Sequence, residues 1–328
     1  MSKKYNVYGL GNAIVDIITE VPDSFLVQNE VDKGIMTLVD EEKQDQLIKG
    51  IDLQNCSQQC GGSAANTIIA ISQLGGKSYY ACKVADDDFG NFYLKDIISN
   101  GVETILKEGE LPKGITGKCL VMTTPDAART MNTFLGITSG FSTEQLEREV
   151  IKESEYIYIE GYLVSSESGF EALLEAQKIA KEENVKIALT FSDPSMVKFF
   201  KENVKKAVSN GIDLLFCNEE EALLYAGTED LEVAITALKE VAKELVITKG
   251  PEGAVIFHGG DKIDIKPHKV EAVDTNGAGD LFAGAYMYAV TNGLSRQEAG
   301  DLASLLSSKV VTQFGPRLTK EQVKASIG

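Results

Sequence analysis

From residue 154 to residue 258 the chain repeats one pattern: a short apolar run, a turn, then a longer stretch in which apolar side chains recur at helical spacing. Residues 156–159, 186–189, 214–216 and 244–248 read as strands. Residues 169–182, 197–208, 219–226 and 231–241 read as helices between them. Strands with no polar face, separated by amphipathic helices, predict a mainly parallel sheet covered on both sides, a three-layer α/β/α core. Ligands of such a sheet bind beyond the carboxyl ends of its strands.

The first half is less regular. Val7-Tyr8-Gly9-Leu10-Gly11 reads as a buried strand, and the β-branched run Val15-Asp16-Ile17-Ile18 continues extended. Residues 34–39 alternate as a strand, and 40–48 form a helix with Asp40 as N-cap. Gly61-Gly62-Ser63-Ala64-Ala65-Asn66 is a turn leading into a helix over 67–74, stopped by Gly75-Gly76. Asp88-Phe89-Gly90 is a turn before a helix over 91–99. The segments 34–39, 56–60, 118–123 and 130–135 assemble into a small β lobe made of two insertions. The expected division is a core of 1–15, 61–115 and 138–328, with a β lid of 16–60 and 116–137.

Composition narrows the function. A formal charge of −17 over 328 residues argues against nucleic acid or an anionic membrane as partner. The N-terminal apolar segment is broken by Asn12 and Asp16, so no signal-peptide core forms, and residues 281–295 are too few to span a bilayer. Five cysteines without metal spacing and in odd number argue against a disulfide framework, and only His258 and His268 are available for imidazole chemistry. A reduced cytoplasm is the expected location.

The chemistry concentrates in Asp274-Thr275-Asn276-Gly277-Ala278-Gly279-Asp280, followed by an apolar helical run from Leu281. Gly277, Ala278 and Gly279 let the backbone approach a ligand closely, and the unpaired amides of a helix start attract an anion. Asp280 stands where that anion would sit. It either caps the helix or takes a proton from an attacking hydroxyl. Other glycine motifs fail on context: Gly9-Leu10-Gly11 opens no helix, and Gly76-Lys77-Ser78 ends one.

The stretch 274–280 resembles the C-terminal signature of the ribokinase-like (PfkB) carbohydrate and nucleoside kinases. Gly61-Gly62-Ser63-Ala64-Ala65-Asn66 resembles their N-terminal signature, with Ile68 and Ala85 departing from its usual pattern. Asn218-Glu219-Glu220-Glu221 and Thr248-Lys249-Gly250-Pro251-Glu252-Gly253 match further motifs in the family's order. The resemblance implies a ribokinase-like α/β core with a β lid, and transfer of the ATP γ-phosphoryl group to a primary hydroxyl. It implies Asp280 as base, the Gly277, Ala278 and Gly279 amides as anion hole, and Asp16, Asn12, Gly62 and Asn66 around the acceptor. Asn218, Thr248, Gly250 and Gly253, with Gly277 and Gly279, would hold ATP, and Glu221 would hold magnesium through water. A monovalent cation is left open, as are a monomer and a lid-mediated homodimer. Arg129, near a hairpin tip in the lid, either is solvated or neutralises the transferring phosphoryl group.

Within the family, Gly11-Asn12-x-x-x-Asp16-Ile17 and Phe191-Ser192-Asp193-Pro194 most resemble adenosine kinases, which implies adenosine as acceptor. A free sugar such as ribose, a ketohexose or a keto-deoxy sugar is the alternative. A non-catalytic sugar- or nucleotide-binding regulator is the alternative of another class.

Overall fold

The computed structural model describes residues 3–126 and 128–327; Ala127, within the sequence stretch 124–130, lies outside them. Strands β1 (Tyr5–Leu10), β2 (Ile14–Glu20), β3 (Met36–Leu38) and β4 (Ser57–Gly61) come first. Next are β5 (Ser78–Ala81), β6 (Glu103–Thr104), β7 (Thr116–Thr123) and β8 (Arg129–Gly136). The second half supplies β9 (Ser154–Ile159), β10 (Lys186–Thr190), β11 (Ile212–Asn218), β12 (Ala242–Thr248), β13 (Ala254–His258) and β14 (Asp261–Ile265).

Nine strands form one sheet in the order β14-β13-β12-β11-β10-β9-β1-β5-β6. Every pairing from β12 through β6 is parallel, and β13 and β14 are added antiparallel at one edge. Side chains alternate across this sheet: Tyr156 and Tyr158 enter one core cluster, Ile157 and Ile159 the other. Both faces are therefore apolar, as the unbroken runs require. Helices Ser63–Gln73, Ala278–Thr291 and Arg296–Val310 cover the first face. Glu167–Glu182, Pro194–Phe199, Lys201–Val208, Glu219–Ala226 and Leu231–Lys239 cover the second. No helix among the described residues is long and apolar enough to cross a membrane.

The other five strands make a smaller sheet in the order β3-β8-β7-β2-β4. Its neighbouring strands β2 and β4 join it to the large layer: β1 runs into β2 through residues 11–13, and β4 runs through Gly62 into the Ser63–Gln73 helix. Because chain order runs outward on either side of the β1–β9 pair, a crevice opens at the carboxyl ends of those strands. Both connections converge on that crevice.

Several elements begin or break away from the positions expected. Gly62 takes a φ of 105°, open to glycine, so the helix starts at Ser63 rather than Thr67, and Ser63 and Asn66 fall in its first turn. Asp87 accepts from the Gly90 amide, which makes Asp88-Phe89-Gly90 the first turn of the Asp88–Ser99 helix. The expected 197–208 helix is two, broken at Phe200.

The helix that follows the 274–280 motif starts at Ala278 and crosses the Ser63–Gln73 helix at close range. A Cβ on Gly284 would lie 2.6 Å from the Thr67 carbonyl oxygen and 2.7 Å from Ala70 Cβ. Gly284→Val is expected to destabilise the fold by about 2 kcal/mol or more through overpacking. A urea titration checks this, and an unchanged midpoint contradicts the close crossing.

Candidate active site

Asp280 is the third residue of the Ala278–Thr291 helix, whose N-cap Gly277 has a left-handed φ of 72°. The helix makes its first i→i−4 bond from Leu281 N to Gly277 O, at 2.8 Å; the Ala278 amide makes a longer turn bond to Thr275 O, at 3.3 Å, and the Gly277, Gly279 and Asp280 amides make no backbone bond. A Cβ on Gly277 would lie 2.2 Å from the Pro316 carbonyl oxygen, whereas one on Gly279 would meet nothing within 4 Å. The loop is thus packed hard on one side and open on the other. Across the helix crossing, Ser63 Oγ donates to Asp280 Oδ1 at 2.6 Å and Asn66 Nδ2 donates to Oδ2 at 3.0 Å. Burial pushes the Asp280 carboxyl up to about 6, against the pull of those two hydrogen bonds. Asn66 Oδ1 is buried and makes no hydrogen bond within the protein.

Asp16 lies on β2, opposite Gln59 of β4 and Cys119 of β7. It is buried, and desolvation raises its carboxyl to about 7 although Arg317 and Arg129 pull it down. A Cβ on Gly61 would stand 2.3 Å from Asp16 Oδ1, and one on Gly62 would stand 2.3 Å from the Asn12 carbonyl oxygen. Those two glycines allow the backbone to wrap this corner. Asn12 Nδ2 donates to Glu160 Oε1 at 3.2 Å, and Glu160 Oε2 accepts from the Ala64 amide at 3.0 Å. Glu160 stands immediately after β9, in the crevice, with its carboxyl raised to about 7 by burial.

Arg129, the first residue of β8, forms an ion pair with buried Asp274. Its guanidinium is engaged, not solvated. Asp274 also accepts from the Asn276 amide at 2.9 Å and the Gly315 amide at 2.8 Å. One carboxylate thereby ties the small sheet, the glycine loop and the C-terminal loop together.

The remaining predicted residues lie at the ends of β11 and β12, two and three strands beyond β9, with no hydrogen bond to the Asp280 group. Asn218 and Glu221 form a capping box: Asn218 Oδ1 accepts from the Glu221 amide and Glu221 Oε2 from the Asn218 amide, both at 2.8 Å. Burial raises Glu221 to about 7, and the Asp280 charge contributes, so the two carboxylates lie within electrostatic reach. Thr248 ends β12; Gly250 is unobstructed, and a Cβ on Gly253 would lie 2.2 Å from the Ile265 carbonyl oxygen. No group of three or more His, Cys, Asp or Glu side chains among the described residues is placed to hold a metal. A lone carboxylate such as Glu221 fits magnesium, which keeps several waters and takes phosphate oxygens as ligands.

Residues 34–322 match the model of the pfkB family carbohydrate kinases. The chain belongs to that family. It is similar over 99% of its length to the crystal structure of adenosine kinase from Sinorhizobium meliloti, at 34% identity, 99% coverage of that chain and a TM-score of 0.90. A probable sugar kinase from Rhizobium etli is as similar, at 33% identity, 99% and 98% coverage and a TM-score of 0.90. Adenosine kinase from Saccharomyces cerevisiae is 25% identical over 97% of this chain and 98% of its own. This pfkB protein is therefore an ATP-dependent kinase whose acceptor is a nucleoside or a sugar.

Sequence reasoning missed Ser63 and Glu160. Ser63 lies inside the 61–66 motif, where the sequence pattern predicts a turn rather than a helix start. Glu160 carried a usable signal, a lone carboxylate directly after the apolar strand run 156–159 of a parallel sheet.

Asp16, Glu160, Glu221 and Asp280 all hold protons in the folded kinase at pH values where the unfolded chain has lost them. Their burial therefore lowers stability as pH rises from about 4 to about 7. Asp280→Asn removes one such group. Its urea midpoint relative to wild type is expected to be higher at pH 8 than at pH 5; a difference that does not change with pH contradicts the desolvation account.

Proposed function

We propose that this kinase transfers the γ-phosphoryl group of ATP to a primary hydroxyl of a nucleoside, with adenosine the favoured acceptor. The observation that carries the reading is the Asp280 carboxylate, held by Ser63 and Asn66 at a helix start whose Gly279 faces open space. A carboxyl raised to about 6 is ionised at neutral pH and still basic enough to take a proton from an alcohol as it attacks.

Asp16, Asn12, Gly62 and Asn66 line the acceptor side, and the unpartnered Asn66 Oδ1 is an acceptor for a substrate hydroxyl. The amides of Gly277, Ala278 and Gly279 face the charge that develops on the phosphoryl oxygens. Asn218, Thr248, Gly250 and Gly253 bracket the nucleotide at the ends of β11 and β12. Glu221 would hold magnesium, as the resemblance implies, and the ion would supply charge neutralisation on the phosphates. Arg129, carried on the small sheet, adds positive charge when that sheet acts as a lid and excludes water.

The S. meliloti and S. cerevisiae relatives support a nucleoside acceptor. The R. etli relative supports a free sugar as the second reading.

Magnesium-dependent ADP release, measured with adenosine, inosine, ribose and fructose in turn, is expected to be greatest with adenosine. Turnover of a free sugar alone replaces the acceptor and keeps the mechanism. Asp280→Asn is expected to lower kcat by about 10²–10⁴ while calorimetry shows acceptor binding retained; undiminished kcat removes Asp280 as base. Arg129→Ala is expected to lower Tm, because it leaves Asp274 buried without its counter-ion, and to lower kcat in the protein that remains folded; an unchanged kcat removes that residue from the mechanism.

A further inference from the structure

Two buried nitrogens on the acceptor side, Gln59 Nε2 and Arg317 Nη1, make no hydrogen bond within the protein. Gln59 lies directly opposite Asp16 in the antiparallel β2–β4 register, and such pairs project to the same face of a sheet. Arg317 reaches the same corner from the C-terminal loop. Its Nη2 donates to Asp96 Oδ2 at 2.9 Å and lies 3.5 Å from Gln59 Oε1. Its side chain is only 9% exposed, and its charge acts on Asp16 more strongly than that of any other side chain. With Asp16 ionised, the form that the Arg317 charge favours, the corner holds a carboxylate that only accepts and two nitrogens that only donate.

A vicinal diol matches that set. Each hydroxyl of a vicinal diol donates one hydrogen to a carboxylate and accepts one from a nitrogen. We propose that Arg317 and Gln59 read the oxygens of the acceptor's vicinal diol while Asp16 reads its hydrogens, so that the site selects for both hydroxyls together. The inference rests on Asp16 holding the acceptor, as proposed above. Loss of either hydroxyl leaves a buried donor without a partner, and sites built to bond a hydroxyl reject the analogue that lacks it strongly.

The test is the ratio of kcat/KM for adenosine to that for 2′-deoxyadenosine and for 3′-deoxyadenosine, in wild type, Arg317→Met and Gln59→Leu. Ribose and 2-deoxyribose replace them if the acceptor is a free sugar. Wild type is expected to prefer the diol by about 100-fold or more, and each variant to cut that ratio by about tenfold, chiefly through KM for the diol. If Arg317 served only to tie the C-terminal loop to Asp96, its replacement would slow both acceptors alike and leave the ratio unchanged. That result overturns the proposal, as does a wild-type preference below about tenfold. Should Arg317→Met not fold, Gln59→Leu, which leaves the Arg317–Asp96 pair in place, decides alone. Absence of turnover with every acceptor counts against the proposed function; calorimetric binding of adenosine against 2′-deoxyadenosine then decides the diol inference separately, and equal or absent binding overturns it.

Discussion

A carboxylate withdrawn from water at the crossing of two helices is the constraint on which the rest of this structure depends. Asp280 is held there by Ser63 and Asn66, residues more than two hundred positions away in the chain. Burial makes the carboxyl a stronger base, and the two donors keep it oriented and limit how far it shifts. The arrangement exists only because the helices approach through Gly284, and because Gly62 and Gly277 let the backbone turn against neighbouring carbonyls. Substituting bulk at these glycines moves the base before it touches any ligand.

Around that point the fold supplies two opposed surfaces. The large sheet ends in the crevice beside Glu160, Asn12 and Asp280, while the small sheet brings Asp16 and Arg129 to the same place. Asp274 joins the two by accepting from Arg129, Asn276 and Gly315 at once. The small sheet is therefore tied to the glycine loop through one buried ion pair. Breaking such a pair from one side is costly because the remaining charge stays buried.

Much of this was legible in the sequence. The apolar runs around 156–159 and 244–248 announce a parallel sheet because both their faces are buried, and the 274–280 motif announces a helix start beside a carboxylate. The wider order of motifs carries the family, and the match over residues 34–322 agrees with it. Helix starts were less legible: Gly62 can leave the β region, so the helix begins four residues before the apolar periodicity shows it. Least legible were Ser63, Glu160, Asp274 and Arg317 as partners, because their roles arise from contacts between distant segments. Arg317 in particular lies in a loop with no motif, and only its buried, half-satisfied guanidinium marks it.

The proposed mechanism turns on Asp280 as the proton acceptor. It is tested most directly by the pH dependence of single-turnover phosphoryl transfer in wild type and Ser63→Ala, with ATP, magnesium and acceptor saturating. Asp16 and Glu160 are raised into the same range, so the acid limb of wild type alone belongs to the cluster. Ser63 donates its hydroxyl to Asp280, and that bond lowers the Asp280 carboxyl. Losing it should move the acid limb to higher pH while transfer at alkaline pH persists. A limb that stays in place, or moves to lower pH, contradicts Asp280 as the base.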